Sequence, residues 1–172
     1  MRRSRRTLRH AAGVVLAALV LAPFVVASPP DMSCRGRSTS IVVRVRDHVL
    51  LACEDDRIRQ RAKVSLGTGG IGKQRQGDRR TPLGVYELGD ARPSERFGIF
   101  IPIGYPTPEQ TRRGFTGGDV GIHGPTRPFR WAGPVNARFD WTQGCIALAT
   151  DEELEALRDW MVRSGCRIVT IE

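Results

Sequence analysis

Four cysteines and three histidines are the side chains of this chain best suited to covalent chemistry, and their surroundings rank them. Cys145 lies in Thr142-Gln143-Gly144-Cys145-Ile146-Ala147-Leu148, after a glycine and before an apolar run that reads as a strand. Gly144 lets the backbone at that point approach a substrate closely. A thiol becomes a useful nucleophile when a neighbouring base or positive charge draws off its proton, and a histidine is the obvious base. His48 falls in a predicted hairpin turn, where a solvated surface role is expected. His123 instead ends the apolar run Val120-Gly121-Ile122 and precedes Gly124-Pro125. That turn holds the ring and offers it the Gly124 carbonyl, which would fix the tautomer without a third side chain. Base and nucleophile are 22 residues apart, a gap that adjacent strands joined by the loop 124–142 can span.

The remaining cysteines, Cys34, Cys53 and Cys166, read as structural. If Cys145 is a nucleophile, at most one bridge forms. Cys34 with Cys53 ties the N-terminal segment to the sheet and leaves Cys166 buried beside the closing strand; Cys34 with Cys166 is the alternative.

An oxidising compartment is implied by the first thirty residues. Arg2, Arg3, Arg5, Arg6 and Arg9 precede an apolar stretch of 16 residues, 11–26, that contains Pro23. This is the layout of a secretory signal, with cleavage expected after Ala27. As an uncleaved anchor the stretch falls short of the roughly 20 residues a spanning helix needs. Ser4-Arg5-Arg6-Thr7-Leu8 also has the look of a twin-arginine export signal. Residues 1–27 are thus expected to be a leader, 28–40 a linker and 41–172 one catalytic domain. The leader holds five of the 27 basic residues and no acidic one, leaving 22 against 18, a net charge of +4 on the exported domain. Such a surface suits an anionic cell-wall polymer. Nucleic acid is excluded as a partner, since no basic helix or aromatic-basic stripe is present.

The elements that must position the pair are mostly strands. The β-branched runs 41–46 and 49–53 around Asp47-His48 predict a hairpin, and 59–66 a third strand. The glycine- and charge-rich run 67–84 predicts a surface loop. Strands follow at 84–88, 97–103 and 120–123, with loops at 106–118 and 124–142. A helix is predicted over 151–164, capped by Thr150 with Glu153 as its box partner and stopped by Gly165. Leu154, Leu157, Trp160 and Met161 form its buried face. A strand at 167–171 closes the chain. The fold class is mainly β, a sandwich or compact mixed sheet, with one amphipathic helix after the nucleophile strand.

The segments IHGPTRP and DWTQGCIAL together resemble the hallmark of the L,D-transpeptidase catalytic domain, also called the YkuD-like domain. That hallmark is a His-Gly followed by Ser/Thr-x-Gly-Cys. GKQRQGDRRTPLGVYEL is similar to the family's Gly-Asp-x-x-Thr-Pro-x-Gly-x-Tyr run, and FGIFIPIGYP to its strand before the active-site loop. The resemblance covers Ile41 to Glu172. The chain departs from the common pattern at Gln143, where many relatives carry a second histidine, and at Ala147, where arginine or asparagine is frequent. The form Trp-Thr-x-Gly-Cys-Ile-Ala looks like a branch of the family.

The resemblance implies a peptidoglycan L,D-transpeptidase. Cys145 attacks the carbonyl between an L-centre and a D-residue of a stem peptide, with His123 as acid and base and Gly124 as its orienting carbonyl. The N–H groups of Gly144 and Cys145 are the expected oxyanion donors, with Thr142 and Gln143 as supporting residues. The alternatives are hydrolysis of the same bonds by a carboxypeptidase or amidase, and an envelope-binding module in which Cys145 is bridged. No metal or other cofactor is expected, as no zinc-peptidase spacing occurs. The expected partners are peptidoglycan stem peptides, the expected state a monomer, the location the periplasm or cell envelope, and membrane contact only through an uncleaved leader. Phe129, Trp131, Phe139 and Trp141 crowd the loop between base and nucleophile. They read as rings packed beneath a long loop, with a water-excluding lid or groove wall as the alternative.

Overall fold

The β-branched runs near the start form an antiparallel meander in the computed structural model, which describes residues 34–172. Strands β1 (Ser40–Arg44), β2 (Val49–Glu54) and β3 (Arg57–Ser65) follow one another in space as in sequence. A short 3-10 turn, Val45–Asp47, joins the first two, and His48 closes it in the left-handed region at φ 51°. The leader expected at 1–27, and the first residues of the linker expected at 28–40, lie outside the described residues. Cys34 is bonded to Cys53 with its Cα 5.4 Å away, so the chain is fastened to β2 before β1 begins. Val42, Val49, Leu51 and the two bridged cysteines form a small apolar cluster on that side of the sheet.

The other strands are β4 (Gly84–Glu87), β5 (Arg92–Ser94), β6 (Gly98–Pro102), β7 (Gly121–His123), β8 (Ile146–Leu148) and β9 (Ile168–Ile171). Together they make one curled, mixed nine-stranded sheet in the order β4-β9-β1-β2-β3-β8-β7-β6-β5. The mainly β class is therefore realised as a mixed sheet. Two pairings are parallel, β1 with β9 and β7 with β8. Parallel neighbours need a crossover rather than a hairpin. For β7 and β8 that crossover is the segment predicted as a loop, much of which winds as a 3-10 helix, Arg127–Ala137, kinked at Gly133.

Helix α2 (Asp151–Ser164) forms where its capping signal placed it. The Thr150 hydroxyl accepts from the Glu153 N–H at 3.2 Å, and Gly165 ends the helix at φ 68°. The reciprocal half of the box differs: the Glu153 carboxylate accepts from the N–H of Ala149 at 3.1 Å. Leu154, Leu157, Trp160 and Met161 are buried in the main core with Val64, Ile101, Ile122, Ile146 and Leu148 of the central strands. Burying such side chains contributes roughly 1.5–3 kcal/mol each. A second helix, α1 (Pro108–Arg112), occupies part of the expected loop 106–118. Thr107 and Gln110 cap it reciprocally with proline at its start, a signature already visible as Thr-Pro-Glu-Gln. No helix among the described residues is long and apolar enough to cross a membrane.

Candidate active site

Because β7 and β8 are parallel, Ile122 faces Ile146 and His123 faces Ala147. Side chains alternate along a strand, so Cys145, two residues before Ala147, shares a sheet face with His123. The ladder extends the same row through Phe100 of β6 on one side and Ser65 of β3 on the other. The intervening Ile122 and Ile146 point to the core under α2. One face of these central strands thus anchors the fold, and the other presents His123 and Cys145.

His123 is 1% exposed. Phe97 stacks on its ring at 3.7 Å and 17°, and Trp141 leans on it at 5.7 Å. Its Nδ1–H donates to the Gly124 carbonyl at 2.7 Å, the contact expected from the His-Gly turn. A carbonyl accepts only, so Nδ1 holds the proton and Nε2 keeps its lone pair. Burial lowers the imidazole to about 4; the Gly124 hydrogen bond opposes this, and the positive charge of Arg96 adds to it. The ring is therefore neutral. Gly124 has a steric requirement as well, since a Cβ there would stand 2.8 Å from the Asp151 carboxylate, which Arg130 of the crossover holds at 2.7 Å.

Cys145 is free and partly exposed. Its thiol donates to the Asp119 carbonyl at 3.6 Å. Burial raises its pKa and Asp119 adds to this, while a backbone hydrogen bond at Gly121 and the charges of Lys73 and Arg96 act the other way. Thiol and imidazole line one cleft of about 380 Å³ with Arg92, Arg96, Asp119 and Gln143. The resting pair is neutral rather than a preformed ion pair.

The turn before Cys145 is held by Thr142. Its hydroxyl donates to the Cys145 carbonyl at 2.7 Å and accepts from the Gly144 N–H at 3.1 Å. Thr142 thus shapes the nucleophile loop, and Gly144, expected to donate to an oxyanion, has its N–H engaged here. Of the two expected donors, the Cys145 N–H remains. Glycine at 144 also meets a requirement within the fold. With φ 122° and a would-be Cβ only 2.6 Å from the Arg80 carbonyl, it admits the loop 67–84. That loop is braced by Asp78, whose carboxylate accepts from the N–H groups of Gln74, Arg75 and Arg80 and from the buried Lys73 ammonium. Those bonds hold Asp78 well below the usual carboxylate range although burial acts against them.

Several site residues were not anticipated. Arg92, Ser94 and Arg96 come from β5 and the turn after it, between two predicted strands, and Phe97 opens the strand predicted over 97–103. The available signal is a pair of arginines close to a pair of phenylalanines within 92–100: Arg92 lies over the Phe100 ring and Arg96 over that of Phe97. Gln143 is exposed on the cleft rim, whereas Ala147 is buried between His123 and Ser65. Position 147 thus presents no group to a substrate carboxylate, and Arg92 and Arg96 are the cations lining the cleft. The crossover aromatics divide. Trp141 packs on His123, but Phe129, Trp131 and Phe139 are 57%, 84% and 61% exposed, so the expected packing beneath the loop fails for three of the four. Among the described residues no group of three or more His, Cys, Asp and Glu side chains is arranged to hold a metal.

The geometry has counterparts among known proteins. The profile of the YkuD family, the L,D-transpeptidase catalytic domain, matches residues 38–171. No curated protein matches the chain significantly. Among solved structures, the helical cell shape determining protein Pgp2 from Campylobacter jejuni is similar at TM-score 0.62 and 27% identity, over 77% of this chain and 46% of that one. Bd1075 from Bdellovibrio bacteriovorus gives TM-score 0.53 at 16% identity, again over 77% and 46%. L,D-transpeptidase 3 from Mycobacterium tuberculosis gives 0.50 at 14%, over 77% and 60%. The last two share the fold alone, and this chain spans about half the length of the Pgp2 chain it matches. A match across most of the chain, with a cysteine and a histidine brought to one cleft, makes this protein a member of the YkuD family of L,D-transpeptidase catalytic domains.

Proposed function

We propose that the protein is a peptidoglycan L,D-transpeptidase of the cell envelope, with Cys145 as nucleophile and His123 as general base. The observation that carries this reading is a free thiol in the turn leading into β8 and a neutral, carbonyl-oriented imidazole at the end of the parallel β7, both lining one cleft. His123 Nε2 takes the thiol proton as Sγ attacks the carbonyl between the L-centre and the terminal D-residue of a stem peptide. The Cys145 N–H donates to the developing oxyanion. The C–N bond then breaks, the departing amine takes the proton from His123, and a thioester remains. An acceptor amine reverses the sequence: it gives its proton to His123, bonds to the acyl carbon and releases the thiolate, which is reprotonated.

Two further observations support this reading. A second cleft of about 420 Å³, lined by Lys73, Gln76 and Arg79, meets the first at Cys145, Asp119 and Gln143, so the thioester is open to a partner from either side. The Cys34–Cys53 bridge leaves Cys145 unpaired, against the reading of a binding module with a bridged thiol. The test is to incubate the protein with tetrapeptide muropeptides and resolve the products by mass. Cross-linked dimers are expected from the unaltered protein and none from Cys145→Ala or His123→Ala. Shortened monomers alone would replace transfer by hydrolysis, and activity surviving in Cys145→Ala would end the mechanism.

A further inference from the structure

The exposed crossover aromatics take no part in the chemistry above. Phe129 and Phe139 join Arg96, Thr126, Asn136 and Trp141 around a hollow of about 370 Å³. Arg96 and Trp141 also line the catalytic cleft, so hollow and cleft share a wall. Large rings left in water beside a catalytic cleft mark a binding surface rather than a core.

The rings stand on a fixed frame. The Phe129 N–H donates to the Thr126 carbonyl at 2.8 Å, and the Phe129 carbonyl accepts from the Asn136 amide at 3.0 Å. Asn136 also donates to the Ala149 carbonyl at 3.2 Å, and Ser65 of β3 donates to the Phe139 carbonyl at 2.8 Å. A surface held in this way needs little ordering on binding. No acidic residue lines the hollow, and Arg96 and Thr126 are among its walls.

We infer that this hollow binds the N-acetylated amino sugars to which a stem peptide is attached, an inference that rests on the L,D-transpeptidase reading. The flat C–H faces of a pyranose match aromatic rings, and its acetamido and lactyl oxygens accept from the arginine and the hydroxyl. Geometry adds a second reason. A stem of three residues reaches roughly 11 Å at most when extended, so its sugar must lie close to the scissile carbonyl. The hollow, sharing two wall residues with the cleft, lies within that neighbourhood.

The test compares the affinity of Cys145→Ala protein for a disaccharide-tetrapeptide and for the same tetrapeptide without sugar, by calorimetry. The sugar should tighten binding about tenfold or more, in line with stacking and hydrogen-bond gains of this size. In Phe129→Ala/Phe139→Ala the two ligands should bind alike, while the bare tetrapeptide keeps its affinity and, with Cys145 intact, its turnover. Phe129→Tyr/Phe139→Tyr should retain the sugar advantage. Equal affinities in the parent protein, or an advantage that persists in the double alanine variant, would overturn the sugar site and leave the L,D-transpeptidase reading standing. Binding of anionic phospholipid vesicles through these rings, with no sugar advantage, would overturn it in favour of a membrane contact. If neither peptide were bound or turned over, the parent reading would fall and the sugar site with it.

Discussion

Lowering the pH should destabilise this protein through its own candidate base. The buried His123 ring is lowered to about 4 against 6.5 for a free imidazole. As pH falls through 6.5 the unfolded chain takes up a proton that the folded chain refuses until about 4. Stability from this residue is therefore complete above pH 6.5 and lost progressively below it. Integrated down to pH 4, the loss is about 3 kcal/mol. With a urea slope of roughly 1–3 kcal/mol/M, the unfolding midpoint should fall by roughly 1–3 M from this group alone. Urea titrations of the unaltered protein and of His123→Gln, from about pH 7 to pH 4, isolate the term, because other titrating groups are common to both. The unaltered protein should lose stability faster over that window. Parallel curves would refute the argument that burial among Phe97, Phe100 and Trp141 keeps the ring neutral. The same shift leaves the base unprotonated well below neutrality, so the acid limb of kcat/KM should lie below the usual histidine range.

Cys145, whose thiol burial holds above its ordinary value, should be alkylated by iodoacetamide at a rate that rises steadily through neutral pH; a plateau already reached at acid pH would reveal a preformed ion pair instead. Thr142→Val removes one acceptor and one donor from the nucleophile turn and should lower kcat/KM by about 10- to 100-fold, the two lost bonds together being worth about 1–3 kcal/mol. Thr142→Ser should recover most of that loss, and no recovery would show that the methyl group, not the hydroxyl, shapes the loop. Replacing Cys34 and Cys53 by serine opens a loop with a sequence separation of 19 and should cost about 3 kcal/mol in thermal unfolding; a change below about 1 kcal/mol would show that the N-terminal segment is held by packing alone.

Local signals carried much of the fold. The α2 cap, its four buried residues and the hairpin around His48 follow from short-range patterns, and the structure reproduces them. The pairing of β7 with β8 is different in kind. Nothing within 120–123 or 146–148 distinguishes parallel neighbours from antiparallel ones, because the partner strands are set by the whole sheet. Residues at the candidate site divide in the same way. His123, Gly124, Thr142 and Cys145 stand out by their immediate neighbours in sequence. Arg96 and Phe97 do not, since their importance lies in what β5 and β6 bring against His123. Gly144 was singled out for its type, but the partner that demands it, the Arg80 carbonyl, lies far back in the chain.

The parallel register of β7 and β8 separates two design problems that most catalytic sites solve together. The registration of base and nucleophile is set by neighbouring strands about 4.8 Å apart, with Cys145 two residues before the ladder partner of His123, more than by the length of the segment that links them. The exposed rings of the linking segment can therefore change while His123 and Cys145 keep their registration. An engineer wishing to redirect the proposed reaction could vary Phe129, Trp131 and Phe139 while keeping Arg130, Asn136 and Trp141, which brace the cleft.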